Sequence, residues 1–513
     1  MFSKNTLTKD RYRHFLPLII IFFIGLEFRI YYFPYGLPLV ADSLTYFSYA
    51  TEIIFLGHLP TTWTPINNGW SMFMSFWFSI VNLENTLQYM ELQRFTSIIL
   101  SSLTIVPIYF LCKKFFNNKL SLIGASIFAF EPRIILNSLL GITEPLFILI
   151  STITLVFFLK YERKEIVISF ILVSLCTIIR SEGIFLFFTL TILFFIKFRF
   201  HKKYLKTYLV GLIIFCLILI PVINYRIEVT GTDGIFLRAT QGTTQTLSTL
   251  NQDEGVKIFE GIKLFISYLS WIMIPSFIIF VPYGIIQFFK KRNKDTKFIF
   301  VILIINSIPI FYAYIMQAHD TRYIYVLYPI FCLISLFAIE KYISKFNQKN
   351  LILILMIIGI LASSIIFYEY KKMDYEKEKE MYEIGKITVQ ITSGINSHPM
   401  ESKYIRAAQI PDDWPFIFHD DMYKIKIIST NGYDDLEKYI FNTKNKLTHI
   451  IVDDDPNLPE FLKDVYKNEE KYVYLKKVFD SKNNGFKYKM KIFEIDYEKL
   501  DSINKDEFAF LHH

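Results

Sequence analysis

Apolar residues in this chain gather into long runs, separated by short charged or turn-forming stretches. The runs lie at approximately 15–33, 94–112, 119–136, 141–159, 165–180, 183–198, 205–223, 264–289, 298–316, 323–340 and 350–367. A bilayer core of roughly 30 Å takes about 20 apolar residues per helix. The pattern therefore predicts about 11 transmembrane helices. The runs at 119–136 and 165–198 are the weakest, because Glu131, Arg133, Arg180 and Glu182 interrupt them. Beyond residue 368 the pattern changes. Residues 370–395 form a charged stretch of helical character, Thr448–Val452 reads as a short strand ending in Asp453-Asp454-Asp455-Pro456, and 459–468 reads as a helix. Tyr472–Phe479 and Phe486–Ile495 flank a turn at Asn484-Gly485, the signature of a hairpin. The predicted fold class is a polytopic α-helical membrane protein with a small α/β domain at its C-terminal end. Residues 1–369 make the membrane part, with a long loop at 34–93, and residues 370–513 make the soluble domain.

Composition agrees with that division. Of 513 residues 53% are hydrophobic and 20% charged, and there are 52 Phe and 33 Tyr, too many for one aqueous core. The net charge of +8 is unevenly placed. Residues 370–513 hold 23 Lys and Arg against 27 Asp and Glu, so the first 369 hold 32 against 20. A basic membrane part over a mildly acidic tail reflects bilayer topology and no nucleic-acid partner. Cys112, Cys176, Cys216 and Cys332 all fall in apolar runs and form no CxxC metal motif or disulfide framework.

Lys and Arg set the orientation. With a cytoplasmic N-terminus carrying Lys4, Lys9, Arg11 and Arg13, alternate loops hold 23 of the 32 basic residues inside. The first run lacks a small-residue cleavage site and reads as a retained signal-anchor. The loop 34–93, the loop 224–263 and the tail are then extracytoplasmic. The basic residues left outside are Arg29, Arg94, Arg133, Arg180, Arg226, Arg238 and Arg322, with only Lys257 and Lys263. Snorkelling at helix ends works with either cation. Binding a phosphate or carboxylate through two parallel hydrogen bonds needs the planar guanidinium. The outer arginines are therefore a candidate anion site.

Acidic and polar residues share that side. Asp42 precedes an amphipathic helix at Ser43–Leu56; it is either a helix N-cap or a general base at the water–lipid boundary. Glu131-Pro132-Arg133 ends the third run, Thr143-Glu144-Pro145-Leu146 starts the fourth, and Arg180-Ser181-Glu182-Gly183 is the outer turn between the fifth and sixth. His319-Asp320-Thr321-Arg322-Tyr323 is the outer turn before the tenth. Ionisable residues at membrane depth usually face a cavity or a partner, and Glu131 and Glu144 have structural partners at hand in Arg133 and Arg180. One carboxylate facing several Arg and a His suits a phosphate leaving group and a hydroxyl acceptor.

These residues resemble the motifs of a known superfamily. Arg29, Asp42 with Tyr46 and Ala50, the Gly57/Pro60 turn and Thr64-Pro65 to Trp70 are similar to the first loop of the GT-C membrane glycosyltransferases, nearest the protein-mannosyltransferase and aminoarabinose-transferase branch. Thr143-Glu144-Pro145-Leu146, Arg180-Ser181-Glu182-Gly183 and His319-x-x-Arg322-Tyr323 resemble that branch's later motifs, and the likeness covers roughly residues 10–370. It implies transfer of a sugar from a polyprenyl-phosphate donor to a protein, lipid or glycan acceptor at the extracytoplasmic face, with inversion at the anomeric carbon. By the same resemblance Asp42 is the base or acceptor-orienting group, and Arg180, His319 and Arg322 hold the donor phosphate. Glu131, Arg133 and Glu144 are candidates for a second acid or substrate contacts. The first loop has Asp-Ser where many relatives have two acids, which leaves a divalent metal open.

The alternative from another class is a transporter or flippase. Such proteins usually carry two related halves with broken helices at the midplane, whereas the polar residues of this chain collect at one face. Asp453–Asp455 reads as a strand exit more readily than as a Ca²⁺ loop, and Trp63, Trp70 and Trp77 read as headgroup anchors.

Overall fold

The computed structural model describes residues 15–234, 254–290, 294–392, 397–398, 403–410, 426–427, 430, 432–442 and 447–502. Arg238, Lys291, Arg292 and the basic residues before Phe15 lie outside them. Two compact units result. One comprises residues 1–33, 45–82 and 92–372, and the other residues 34–44, 83–91 and 373–513.

The first unit is helical throughout. Its helices are α1 (Leu16–Tyr31), α2 (Asp42–Leu56), α3 (Gly69–Ile80), α4 (Thr86–Leu103), α5 (Ile105–Lys113), α6 (Asn118–Ala129), α7 (Pro132–Ser138), α8 (Glu144–Phe158), α9 (Arg163–Ile179), α10 (Gly183–Phe198) and α11 (Lys202–Thr230). They continue as α12 (Glu254–Ile272), α13 (Phe280–Lys290), α14 (Lys294–Ile315), α15 (Arg322–Tyr325), α16 (Tyr328–Ile343) and α17 (Lys349–Lys371). The unit boundary falls inside α2 and α4. The apolar runs are thus largely helical, with the run at 264–289 broken at residues 273–279. Among the described residues four helices are fit, by length and composition, to cross a membrane: 86–113, 202–230, 297–315 and 349–371. The pair α6 and α7, bent by 54°, would make a fifth.

Local chemistry explains the interruptions. Asn117 caps α6, its side chain accepting from the Leu120 amide at 3.0 Å. Pro132 has no N–H to continue the ladder, so α6 stops at Ala129 and α7 restarts with proline in its first turn. α16 is buried on almost every face, from Tyr328 through Ile339, as a helix apolar all round should be. α17 buries only Leu353, Ile360, Ser364 and Tyr368 and leaves Leu351, Ile354, Leu355 and Ile358 exposed, the pattern of a lipid-facing span.

The second unit is a small α/β domain. Helices α18 (Tyr375–Ile391), α19 (Lys403–Ala408), α20 (Leu436–Asn442) and α21 (Glu460–Lys467) accompany five strands. β1 (Ser397–His398) and β2 (Lys426–Ile427) form a parallel pair; β3 (His449–Asp453), β4 (Leu475–Asp480) and β5 (Met490–Ile495) form an antiparallel sheet of order β3-β5-β4. β4 and β5 are the hairpin that the sequence predicts, with Gly485 at φ +83° ending the turn. Ile450, Val452 and Phe493 of the sheet pack on Phe461, Leu462 and Val465 of α21. Residues 34–44 and 83–91 join this unit through contacts of their own. The Gly36 amide donates to Glu91 Oε1 at 2.8 Å, and the Leu39 amide to Met90 Sδ at 3.3 Å.

Candidate active site

The site in the membrane unit is built from helix ends. α9 ends at Ile179, and Arg180 turns out of it with extended backbone (φ −146°, ψ 133°). Its side chain is 7% exposed. Nη1 donates to Glu144 Oε1 at 2.6 Å and to Thr143 Oγ1 at 2.9 Å, and Nη2 donates to Glu182 Oε1 at 2.8 Å. Nε is buried with no hydrogen-bond partner among the described residues. Glu144 opens α8, where a carboxylate also meets the positive end of the helix dipole. One guanidinium thus sits between two carboxylates, one buried and one half-buried.

The first loop docks against the same turn. The Ser181 amide donates to Asn67 Oδ1 at 3.3 Å. A Cβ at Gly69 would lie 2.7 Å from the Ile178 carbonyl oxygen, and one at Gly183 would lie 2.5 Å from the Thr177 nitrogen. Only glycine lets these backbones meet. Trp70 Nε1 and Gln93 Nε2 both donate to the Gly141 carbonyl, at 3.2 and 2.7 Å, which fixes the loop before Thr143. Tyr46 lies within electrostatic reach of Arg180.

A second pair lies at the turn before α15. Arg322 Nε and Nη2 both reach Asp320 Oδ2 at 2.6 Å, and the Arg322 amide donates to Oδ1 at 2.8 Å. These side chains are 27% and 30% exposed, so water and ligands reach them. His319 is exposed, with Nδ1 3.4 Å from the Tyr268 hydroxyl. Tyr323 is in electrostatic reach of Arg180, Glu182, Asp320 and Arg322, and Tyr325 of Arg133, Asp320 and Glu131. The structure therefore brings Glu144, Arg180, Arg322, Glu131 and Arg133 into one polar belt, strung together by two tyrosines.

Glu131 and Arg133 occupy the break between α6 and α7. Glu131 is fully buried, and neither carboxylate oxygen has a hydrogen-bond partner among the described residues. Ser276 and Arg133 are its polar neighbours. The pairing expected between Glu131 and Arg133 gives way to another arrangement. The Arg133 guanidinium lies over the Trp271 and Phe367 rings, 4.9 and 5.2 Å from their centroids, and Nη2 donates to the Trp271 carbonyl at 2.5 Å. Arg29 is wholly buried. Its Nη1 donates to the Gly25 and Ala129 carbonyls at 2.8 and 2.9 Å, and its Nε to Ser101 Oγ at 3.2 Å. It caps the C-terminal end of α6, where a cation is favoured.

Asp42 belongs to the second unit. It is the first residue of α2 rather than the residue before it, and it is exposed. Ala41, immediately before it, takes φ +52°, a left-handed conformation that costs a non-glycine residue on the order of 1 kcal/mol. Ser43 holds the bend, accepting from the Val40 amide at 3.3 Å and donating to the Val40 carbonyl at 2.7 Å.

Sequence reasoning placed Asp320 and Glu182 in motifs but gave them no role. Each stands two residues from the arginine it neutralises, at Arg180-x-Glu182 and Asp320-x-Arg322. In a tight turn that spacing brings the two side chains together, a signal the sequence carried. Among the described residues no three His, Cys, Asp or Glu side chains converge as metal ligands.

Residues 73–225 match the family model of dolichyl-phosphate-mannose-protein mannosyltransferases. No curated protein matches the chain. Among solved structures it is similar to the apo oligosaccharyltransferase of Archaeoglobus fulgidus, at 12% identity and a TM-score of 0.55, over 90% of this chain and 70% of that one. The same enzyme with an inhibitory peptide and a dolichol-phosphate aligns at 12% identity and 0.54, over 86% and 70%. ArnT of Cupriavidus metallidurans bound to undecaprenyl phosphate aligns at 11% identity and 0.54, over 95% of this chain and 98% of that one.

Proposed function

We propose that the chain is a membrane glycosyltransferase of GT-C type that moves a sugar from a polyprenyl-phosphate donor to an extracytoplasmic acceptor with inversion, a reading supported by the mannosyltransferase family model over residues 73–225 and by the fold shared with the solved structures. The observation that carries this reading is a pair of arginines at helix ends of one unit, Arg180 held by Glu144 at 2.6 Å and Arg322 held by Asp320 at 2.6 Å. The solved relatives with dolichol-phosphate and undecaprenyl phosphate support the donor class. The N-terminus is cytoplasmic and the tail extracytoplasmic in this reading.

Within it, Asp42 takes or orients the acceptor's proton. It stands one helical turn before Tyr46 on α2. Arg322 and His319 receive the phosphate, since their turn is open to ligands and the Asp320 pair is exposed enough to exchange. Arg180 adds its charge and must loosen its hold on Glu182 to bond the phosphate directly. Glu144 fixes Arg180. Glu131, orphaned and buried, is the second acid, and Arg133 holds the break that presents it. A divalent ion would find oxygen donors in Glu131; no step here runs through one. The acceptor is a protein, lipid or glycan.

The test is direct. Purified protein incubated with a panel of polyprenyl-phosphate sugars should release lipid phosphate with at least one of them. No release from any donor, from protein that binds polyprenyl phosphate, would remove the enzymatic reading and favour a flippase.

A further inference from the structure

We propose that Tyr368 is a positioning residue for Glu131: its hydroxyl holds the break between α6 and α7 from one side while Arg29 holds it from the other, so that α1 and α17 together aim the carboxylate. This rests on the reading that Glu131 is the second acid. Glu131 is fully buried, and its backbone is extended (φ −69°, ψ 115°) between the two helices. Neither carboxylate oxygen has a hydrogen-bond partner among the described residues. A side chain without such bonds takes its direction from its backbone and its packing. What fixes that backbone therefore fixes the acid.

Two carbonyls flank Glu131, and each is held by a side chain from another helix. The end of α6 leaves carbonyls without intrahelical partners, and Arg29 Nη1 donates to the Ala129 carbonyl at 2.9 Å. On the other side, the Tyr368 hydroxyl donates to the Pro132 carbonyl at 3.1 Å, across 236 residues of sequence. A carbonyl oxygen has two lone pairs, so Pro132 can take this bond and still accept within α7. Tyr368 is 3% exposed and is kept from swinging away. Its ring lies flat on Tyr32 at 4.0 Å and 14°, with the Phe28 ring edge-on at 5.6 Å. Tyr32 directly follows α1, the helix that carries Phe28 and Arg29, and Arg29 is in electrostatic reach of Tyr368. The Phe367 ring lies against the Arg133 guanidinium at 5.2 Å. Successive residues of α17 thus hold successive residues of the break, Tyr368 at Pro132 and Phe367 at Arg133. A reacting group misplaced by about 1 Å can lose on the order of 10²-fold in rate, and losing one of two tethers should cost part of that, about tenfold. The donor phosphate contacts proposed at Arg322, His319 and Arg180 do not involve Tyr368, so donor affinity should not follow.

The experiment is a double-mutant cycle on the full chain in detergent or lipid discs. Its readouts are kcat and KM for the undecaprenyl-phosphate sugar that releases most lipid phosphate, with the thermal midpoint beside them. Y368F keeps the ring and removes the hydroxyl. It should lower kcat about tenfold and leave KM nearly unchanged. E131Q should lose on the order of 10²-fold or more. Y368F in the E131Q background should lose nothing further, because no acid is left to aim. A merely structural hydroxyl would cost the same factor in both backgrounds. That outcome, or wild-type turnover in Y368F, would overturn the positioning role and leave Glu131 standing. Should Y368F fail to fold, Y32L takes its place in the cycle, since it withdraws the ring on which Tyr368 lies and leaves the hydroxyl. Near-normal turnover in E131Q would remove the second acid itself, and the inference would fall with its premise.

Discussion

Asn67 accepts a hydrogen bond from the Ser181 amide at 3.3 Å, across 114 residues of sequence. That bond ties the first loop to the turn that carries Arg180 and Glu182. It brings together two motifs far apart in the chain, with a glycine of close backbone approach on either side of the contact.

Gly69→Ala and Gly183→Ala should each destabilise the protein by about 1–3 kcal/mol, since a Cβ at either place meets backbone that cannot turn aside. Gly359→Ala is the control. It lies inside α17 with nothing within 4 Å, so alanine should be neutral or should stabilise by up to about 1 kcal/mol. Thermal midpoints of the three variants in one detergent decide it. Equal effects at positions 69 and 359 would show that the loop does not dock as described.

Arg29 makes a second prediction. Replaced by Met, it leaves the Ala129 carbonyl without its buried donor, an omission worth about 1–3 kcal/mol. Because Ala129 ends α6 just before Glu131, the break should shift and turnover should fall more than donor affinity. Arg29→Lys should recover part of the stability, since one ammonium cannot span Ser101, Gly25 and Ala129 together. A loss of donor affinity equal to the loss of turnover would place Arg29 in the phosphate site instead.

Much of this architecture was legible in the sequence because it depends on periodicity and on local rules. The apolar runs are largely helical, Asn484-Gly485 closes a hairpin, and Pro132 stops a helix. The pairing of Glu144 with Arg180 was also legible, since both ended apolar runs on one face. What the sequence could not supply was choice among equivalent partners. Glu131 and Arg133 are two residues apart and read as a pair, yet Arg133 has Trp271 and Phe367, from distant helices, to lie against. Nor could it show that Ala41 is left-handed, a conformation that alanine does not advertise.

The tail carries a pH dependence. His449 on β3 is 9% exposed, and burial pushes its imidazole below the ordinary range, with Glu494 opposite it working the other way. The unfolded chain takes up this proton first as pH falls. The sheet therefore loses stability from about pH 6.5 downward, until the folded imidazole is also protonated. Hydrogen exchange of the Ile450–Val452 amides in the full chain, corrected for intrinsic rates, should quicken between pH 7.5 and 5.5. The same acceleration in His449→Gln would assign it to another group.

Asp42 separates two readings of the first loop. As the first residue of α2 it gains from the positive end of the helix dipole, an effect of about 0.3–1 kcal/mol. Asp42→Asn gives up that gain and little else in stability. As the group that takes the acceptor's proton, Asp42 cannot be replaced by an uncharged amide, and turnover should fall on the order of 10²–10⁴-fold. Donor affinity should stay near normal, because the phosphate contacts proposed at Arg322, His319 and Arg180 do not involve this carboxylate. Ala41 supplies the geometric control. Ala41→Gly removes the Cβ strain at φ +52° but loosens the unfolded chain, so its net effect on stability should be below about 1 kcal/mol. The charge at position 42 remains, and turnover should fall far less than in Asp42→Asn. The measurements are sugar transfer, donor binding and thermal midpoint in the three proteins. Near-normal turnover in Asp42→Asn would make Asp42 a residue of the helix terminus only, and the general base would have to be sought elsewhere in the belt, first at Glu131.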